Sequence, residues 1–498
     1  MKYSNPILPG FYPDPSICKH KDKYYMVHST FQYFPGVTLF ESVDLINFNQ
    51  IGHVLTRESQ LPLEEAGPSG GIFAPTIRVH NDRFYMVTTN VSTGGNFYVY
   101  TDDIYGEWSE PIYIDQDGID PSFYFEGDTC YFMSNGTDDD GNAGVTQCEI
   151  DIETGKIISK RRVIWTGTGG RYLEGPHLYK IGDKYCLLAA EGGTEYGHMI
   201  IAAYGDTPYG PFKGVSNNPI LTNRNLGGYE IQGCGHGDFV EGPNGEYYMV
   251  HLAFRQTDRW MMYHTTGRET YLVGVKFEED KILCGDKGTT RLEMEIDDKV
   301  AKKQNSFNFE KTFTSLGFEN EWVYLRKPNS DNYVFNRNEW ILKGCTDSLD
   351  DSTGKPTFIA TRQLQMEGFV TVNLSIREGE AGVTIYMDND HHYDIALVKE
   401  ENDYYAVLRT TIGNAKAFLG SVLLSREEVL KGVSLNVLMK PLEYEFYVDN
   451  RELGYLGKMQ SRYLSTEVAG GFTGVMIGLY SLEGSEGRFR DFSYKYEK

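Results

Sequence analysis

Along the first half of the chain, short aromatic and aliphatic runs alternate with turns rich in Gly, Asn, Asp and Pro. The runs at Lys23–His28 (K-Y-Y-M-V-H), 81–88, 129–133, 183–188 and 245–251 each read as a strand. Before each comes a residue in an unusual setting, a short strand and a polar turn. The five leading stretches are N-P-I-L-P-G-F-Y-P-D-P-S, G-G-I-F-A-P-T, G-I-D-P-S, R-Y-L-E-G-P-H-L-Y and G-H-G-D-F-V. Their pivots, Asp14, Ala74, Asp120, Glu174 and Asp238, recur at roughly 45–65 residues, a spacing in the range of propeller blades. Late signals at 42–48 (S-V-D-L-I-N-F), 105–108 (Y-G-E-W) and 209–212 (Y-G-P-F) are expected to be outer strands. Five units predict a five-bladed β-propeller whose innermost strands line a channel.

Near residue 281 this pattern stops, and a polar, charged stretch at 293–310 reads as a linker. Beyond it the chain alternates with period two at 369–376, 383–387, 393–398, 404–409, 435–439, 444–448 and 475–480. Short strands at this spacing predict a β-sandwich. The expected organisation is all-β: a propeller over 1–292, the linker, and a sandwich of jelly-roll or concanavalin-like type over 311–498.

Composition narrows the function. A net charge of −23 disfavours nucleic acid and anionic membranes, which call for a basic surface. The seven cysteines include no C-x-x-C pair, so neither a zinc site nor a disulfide framework is signalled. No stretch is long enough to span a bilayer and the start has no apolar signal-like region. The expectation is a cytoplasmic protein, or a secreted one whose signal peptide has been removed. A homo-oligomer is left open.

If the first strands line a channel, their leading residues converge at one end of it. Asp14, Asp120 and Glu174 are then three carboxylates facing one pocket. Glycoside hydrolysis needs one carboxyl to protonate the leaving oxygen and another to act on the opposite face of the sugar. A third nearby raises the pKa of the acid by like-charge repulsion. Any one of them alone reads more simply as a turn residue; three in register favour chemistry. Phe31, Phe73 and Tyr172 lie close to the channel mouth in sequence, with inter-blade packing the favoured reading for Tyr172. Arg268 in T-T-G-R-E-T has two readings, a contact to sugar hydroxyls or an ion pair with Glu269. His236, between two glycines, either projects into the channel or is structural, and one His cannot by itself make a metal site.

The ordered set of stretches, with E-G-G-T-E-Y-G-H and G-R-E-T, resembles glycoside hydrolase family 43, most closely its β-xylosidase and α-L-arabinofuranosidase branch. The resemblance covers essentially the whole chain, since those enzymes carry a C-terminal β-sandwich. It implies an inverting mechanism with Asp14 as general base, Glu174 as general acid and Asp120 as the carboxylate that orients the acid and tunes its pKa. It also implies Arg268 and Phe31 at the terminal sugar subsite. His236 matches the channel histidine, which in some relatives lies near a bound calcium ion. Phe472, in S-T-E-V-A-G-G-F-T-G, matches a phenylalanine that closes over the site and makes it an exo-acting pocket. Related enzymes often have Trp where Phe73 stands, which bears on the size of the subsite.

The expected partner is a short oligosaccharide ending in xylose or arabinofuranose, and no organic cofactor is called for. A retaining fructosidase would need an Asn-Asp-Pro opening and an internal R-D-P, and the chain has neither. The alternative from another class is a non-catalytic, sugar-binding propeller.

Overall fold

A computed structural model describes residues 1–305, 309–312, 320–449 and 454–496. Five four-stranded antiparallel sheets are present among them. Blade 1 runs Ser16–His20, Lys23–His28, Gly36–Ser42 and Asn49–Leu55 from the axis outwards. Blades 2 to 5 begin with the innermost strands Thr76–His80, Ile119–Glu126, Glu174–Ile181 and Ile231–Glu241. Each innermost strand packs beside the next, and that of blade 5 returns to that of blade 1, closing a five-bladed propeller.

The second strands are apolar on both faces because each blade is covered on both sides. In Lys23–His28, Tyr24 and Met26 pack towards blade 5, whereas Tyr25 and Val27 pack towards blade 2. The same alternation builds apolar layers between blades 2 and 3, 3 and 4, and 4 and 5. Six of the seven cysteines are buried in or beside these layers and all are free thiols, which act here as small hydrophobes.

The late signals are turns, not outer strands. Residues 43–48 connect Gly36–Ser42 to Asn49–Leu55, and the Asp44 carboxylate accepts from the backbone N–H groups of Ile46 (3.3 Å) and Asn47 (2.9 Å). Residues 105–108 and 209–212 likewise precede the true outermost strands, Ile112–Tyr113 and Lys213–Gly214. Their Asp, Gly and Pro residues mark the reversal itself.

The stretch read as a linker packs closely on the propeller where it is described. Glu293–Glu295 pairs antiparallel with Lys2–Ser4, and Ile296, Val300 and Ala301 are buried against blades 5 and 1. Residues 306–308 of that stretch lie outside the described residues.

The C-terminal strands form two eight-stranded sheets packed face to face around a large apolar core. All seven runs of alternating residues fall on strands of these sheets, 369–376 with its last residue and 475–480 with its first residue just outside. One sheet ends in a strand from the other domain. Tyr33–Phe34, between the second and third strands of blade 1, pairs with Val323–Leu325, and Arg326 N–H donates to the Gln32 carbonyl at 2.8 Å. Phe11, Phe31 and Tyr33 of the propeller share an apolar cluster with Phe358, Tyr386 and Met476 of the sandwich. Among the described residues no helix is long and apolar enough to cross a membrane.

Candidate active site

Strand register places the pivots. Ser16, Thr76, Ser122, His177 and Asp238 face Val27, Val87, Met133, Leu188 and Val250, the same position in each second strand. Counting back two residues gives Asp14, Ala74, Asp120, Gly175 and His236 as the true pivots. Four of these have left-handed backbones, with φ of 53° at Asp14, 55° at Asp120, 61° at Gly175 and 46° at His236. Asp and His tolerate that region better than most residues with a side chain, and each turn swings its side chain towards the channel mouth.

Two expectations change. Glu174 sits one residue before its pivot, in the slot held by Phe73 in blade 2 and Ile119 in blade 3. A register shift follows between Glu174 and His177, as it does between Ile119 and Ser122 in blade 3, so what differs is which position carries the carboxylate. The fifth pivot is His236, and Asp238 lies two residues deeper. Its carboxylate is fully buried, pairs with Arg78 at 2.8 Å, and accepts from Ser16 Oγ (2.6 Å), Ile17 N–H (3.0 Å) and the Tyr179 hydroxyl. That network forms a floor under the pocket.

Above the floor, Asp14, Asp120 and Glu174 line one cavity of about 440 Å³, a size that suits a small ligand. Their environments differ. Asp14 accepts from Ser29 Oγ at 2.5 Å and from Arg268 Nη1 at 3.0 Å. Burial pushes its carboxyl up, but Arg268, His236 and Ser29 outweigh burial and hold it below the usual value. Burial, then the charge of Asp14, push Glu174 up to about 7 against the opposing Arg268. Asp120 is raised too, by burial first, with Glu174 and Asp14 adding and His236 opposing. Its Oδ2 accepts from the Gly175 N–H at 3.0 Å, so it grips the backbone just after Glu174. Any side chain at Gly175 would press on the His236 ring, with a Cβ 3.0 Å from Nδ1.

An aromatic wall closes one side. The Phe31 ring lies 5.3 Å from Phe73 and is stacked 5.9 Å from Phe472, which itself lies 5.7 Å from Phe73. The Arg268 guanidinium lies over Phe31 at 5.8 Å and Phe472 at 5.5 Å. Arg268 does not pair with Glu269, which is held by Arg255 at 2.7 Å. Phe472 comes from the sandwich, and its N–H donates to Ser69 Oγ of the propeller at 2.8 Å. Tyr172 does not pack between blades: it is 61% exposed at the mouth of the cavity.

Other lining residues carried no individual role in the sequence reading. Thr194 Oγ1 accepts from Arg268 Nη1 at 3.0 Å, and Glu195 forms an ion pair with Arg171. The buried His198 lies so close to Gly235 that a Cβ there would fall 2.0 Å from the ring. Thr194, Glu195 and His198 all belong to E-G-G-T-E-Y-G-H, a motif whose pattern does not by itself separate their roles. His236 Nδ1 is 3.7 Å from Asp120 Oδ2, too long for a hydrogen bond. The calcium expectation finds no matching donor set: among the described residues no three His, Cys, Asp or Glu side chains converge to hold an ion, and calcium favours six to eight oxygen ligands.

Comparison with known proteins follows this geometry. Residues 3–283 match the model for glycosyl hydrolases family 43, and residues 310–495 match the beta xylosidase C-terminal concanavalin A-like domain. The chain is 35% identical to a xylosidase/arabinosidase of Butyrivibrio fibrisolvens, over 99% of this chain and 98% of that one. It is 32% identical to a non-reducing end alpha-L-arabinofuranosidase of Bacteroides ovatus, over 96% of this chain and 91% of the other. Among solved structures, a xylan beta-1,4-xylosidase from Bacillus halodurans superposes with a TM-score of 0.90 at 30% identity, covering 99% of both chains.

Proposed function

The chain belongs to glycosyl hydrolases family 43, and from that premise we propose an exo-acting, inverting glycosidase that removes terminal xylose, arabinofuranose or both from short oligosaccharides. The observation that carries this reading is the contrast between Asp14, held ionised by Arg268, and Glu174, held protonated by burial, in one cavity.

In the proposed mechanism the terminal sugar enters against Phe31, Phe73 and Phe472, with Arg268 reaching its hydroxyls. Asp14 takes a proton from a water as that water attacks the anomeric carbon. Glu174 gives its proton to the glycosidic oxygen as the bond to the leaving sugar breaks. Asp120 keeps Glu174 in place through the Gly175 N–H, and because two neighbouring carboxyls repel when both are ionised, ionising one disfavours ionising the other. The water adds to the face opposite the leaving group, so the released anomer is inverted. Proton exchange with solvent then restores both carboxyls. Tyr172, at the open end, is placed to meet the leaving sugar.

The free state of all seven cysteines supports a reducing compartment, and we place the enzyme in the cytoplasm acting on imported short chains. Fractionation of producing cells tests this, and activity confined to the medium would refute it.

Hydrolysis of paired aryl glycosides, β-D-xylopyranoside and α-L-arabinofuranoside, with NMR of the first-released anomer, tests the main reading. Inverted product is expected, and the ratio of rates names the sugar. Retained product would require a nucleophilic carboxylate and overturn the roles of Asp14 and Glu174.

A further inference from the structure

A second polar cavity, of about 290 Å³, opens on the sandwich sheet and shares no lining residue with the pocket of the propeller. Its base is His392, only 3% exposed at its side chain. Nδ1 of His392 lies 3.0 Å from Asp394 and Nε2 lies 3.2 Å from Asp350. Burial opposes a charge on this imidazole, but the two carboxylates outweigh it and raise its pKa to about 9. Lys416 pairs with the outer oxygen of Asp350 at 2.9 Å, and Arg409 pairs with Glu380, which also accepts from the Tyr480 hydroxyl at 2.8 Å. Each cation lining the opening, His392, Arg409 and Lys416, is thus paired with a carboxylate, that of Arg409 being Glu380, which is not itself part of the lining.

Such a network is a costly way to hold two strands together. Well-packed apolar residues of similar volume would often serve as well or better. The rim adds an aromatic ring aimed at the same opening. Leu408 pairs with Gly420 and Arg409 with Phe418, so Leu419 is an extra residue bulged out of the edge strand Ala415–Leu424. Bulges of this kind re-aim side chains. Here the bulge sets Phe418 opposite Arg409, whose guanidinium lies 5.7 Å from the ring, and leaves Phe418 66% exposed.

A cavity whose charges cancel does not select an ion. Fixed donors and acceptors beside an exposed aromatic ring match a neutral polyhydroxylated ligand. We propose that this cavity is a second, non-catalytic saccharide site, with Phe418 as stacking platform and Asp350, Arg409 and Lys416 as hydroxyl-binding groups. It would hold oligosaccharides on the same chain as the catalytic pocket. The choice of pentose chains as ligand rests on the function proposed above.

The test is calorimetric titration of the full-length Glu174→Gln variant, which holds substrate without turning it over, with xylotetraose, arabinotetraose and cellotetraose in turn. Two sites per chain are expected for at least one sugar. Phe418→Ala on that background should remove one of them, or weaken it at least tenfold, while Phe418→Ala in the wild-type chain leaves aryl-glycoside hydrolysis unchanged. Arg409→Gln is the second variant and should act in the same direction. One site per chain for every sugar, or two sites untouched by Phe418→Ala, overturns the proposal. If Phe418→Ala instead changes the sedimentation of the protein and leaves binding intact, the patch is a subunit contact and the saccharide site is overturned. Failure of the wild type on both aryl pentosides would refute the pentose reading separately, and binding of cellotetraose alone at the second site would show the two to be independent.

Discussion

Arg268 Nη2 donates to the carbonyl oxygen of Phe472 at 3.1 Å while Nη1 of the same guanidinium donates to Asp14 at 3.0 Å. One side chain therefore ties the proposed base, on the propeller, to the closing loop of the sandwich. The planar fork of arginine holds the two partners on separate nitrogens, a geometry that the single nitrogen of an ammonium does not reproduce. Arg268→Lys is therefore expected to lower kcat/KM by about 100-fold, the scale of loss from a small misplacement of reacting groups. Phe472→Ala should raise KM for short substrates with Tm unchanged. Kinetics on xylobiose together with a melting curve check both, and wild-type kinetics in either variant would detach that residue from the site.

Glu174→Ala should lose about 10²–10⁴-fold on a substrate whose leaving group needs a proton. On an aryl glycoside with an acidic phenol the loss should be far smaller. Comparing xylobiose with a dinitrophenyl glycoside decides this, because equal losses on both would leave Glu174 without the role of acid.

The pH profile follows from the two carboxyls. Asp14 must be ionised and its pKa is lowered, so activity should fall only in acid below the ordinary carboxylate range. Glu174 must be protonated and its pKa is raised to about 7, so activity should fall as pH rises through that value. Asp120→Asn removes a neighbouring negative charge that contributes to the proposed tuning of the acid and should move the basic limb of kcat/KM to lower pH. A limb that stays in place would exclude tuning by Asp120.

Glu467, in the short sandwich helix Thr466–Ala469, clasps two loops of the propeller. It accepts from the Tyr196 hydroxyl at 3.2 Å, from His264 N–H at 3.1 Å and from His264 Nδ1 at 2.8 Å, and the His264 ring stacks on Phe254 at 4.0 Å. These loops lead to Thr194 and Arg268, and Thr466 itself lines the cavity. Glu467→Ala is expected to raise KM about tenfold, some 1.4 kcal/mol, with a smaller change in kcat. Glu467→Gln, which keeps an acceptor, should recover part of the loss. A shift in Tm with KM unmoved would reduce the clasp to a structural contact.

Below the pocket, Arg78 pairs with the fully buried Asp238. Removing the arginine leaves a charge in the channel with no cation beside it, and Arg78→Ala should cost about 3–5 kcal/mol. Chemical denaturation measures this directly. A loss under 1 kcal/mol would mean that water or a shifted neighbour replaces the guanidinium.

Much of this protein was legible from local pattern. A strand covered on both faces must be apolar throughout, and one covered on a single face must alternate. Those two textures separated the propeller half from the sandwich half. Asp14 and Asp120 are legible because the shared Asp-Pro-Ser marks a turn at the head of a strand, and that head is where the channel opens. Phe31 and Arg268 are legible as candidates near the channel mouth with their roles left open, and family resemblance assigns those roles; Phe472 is reached through resemblance alone.

Tertiary structure decided what depends on register and on distant partners. Glu174 occupies the position that Ile119 holds in blade 3, one before the pivot, and only strand pairing, which carries the same register shift in both blades, reveals the offset. Asp238 looked like a fifth pivot until strand pairing placed it in the floor with Arg78, 160 residues away. Tyr33–Phe34 belongs by sequence to blade 1 yet completes a sheet of the sandwich, which is how Phe31 comes to face Phe472. Hydrophobic periodicity records whether a side chain is buried, whereas the identity of its neighbour is set by contacts that form only when the whole chain closes.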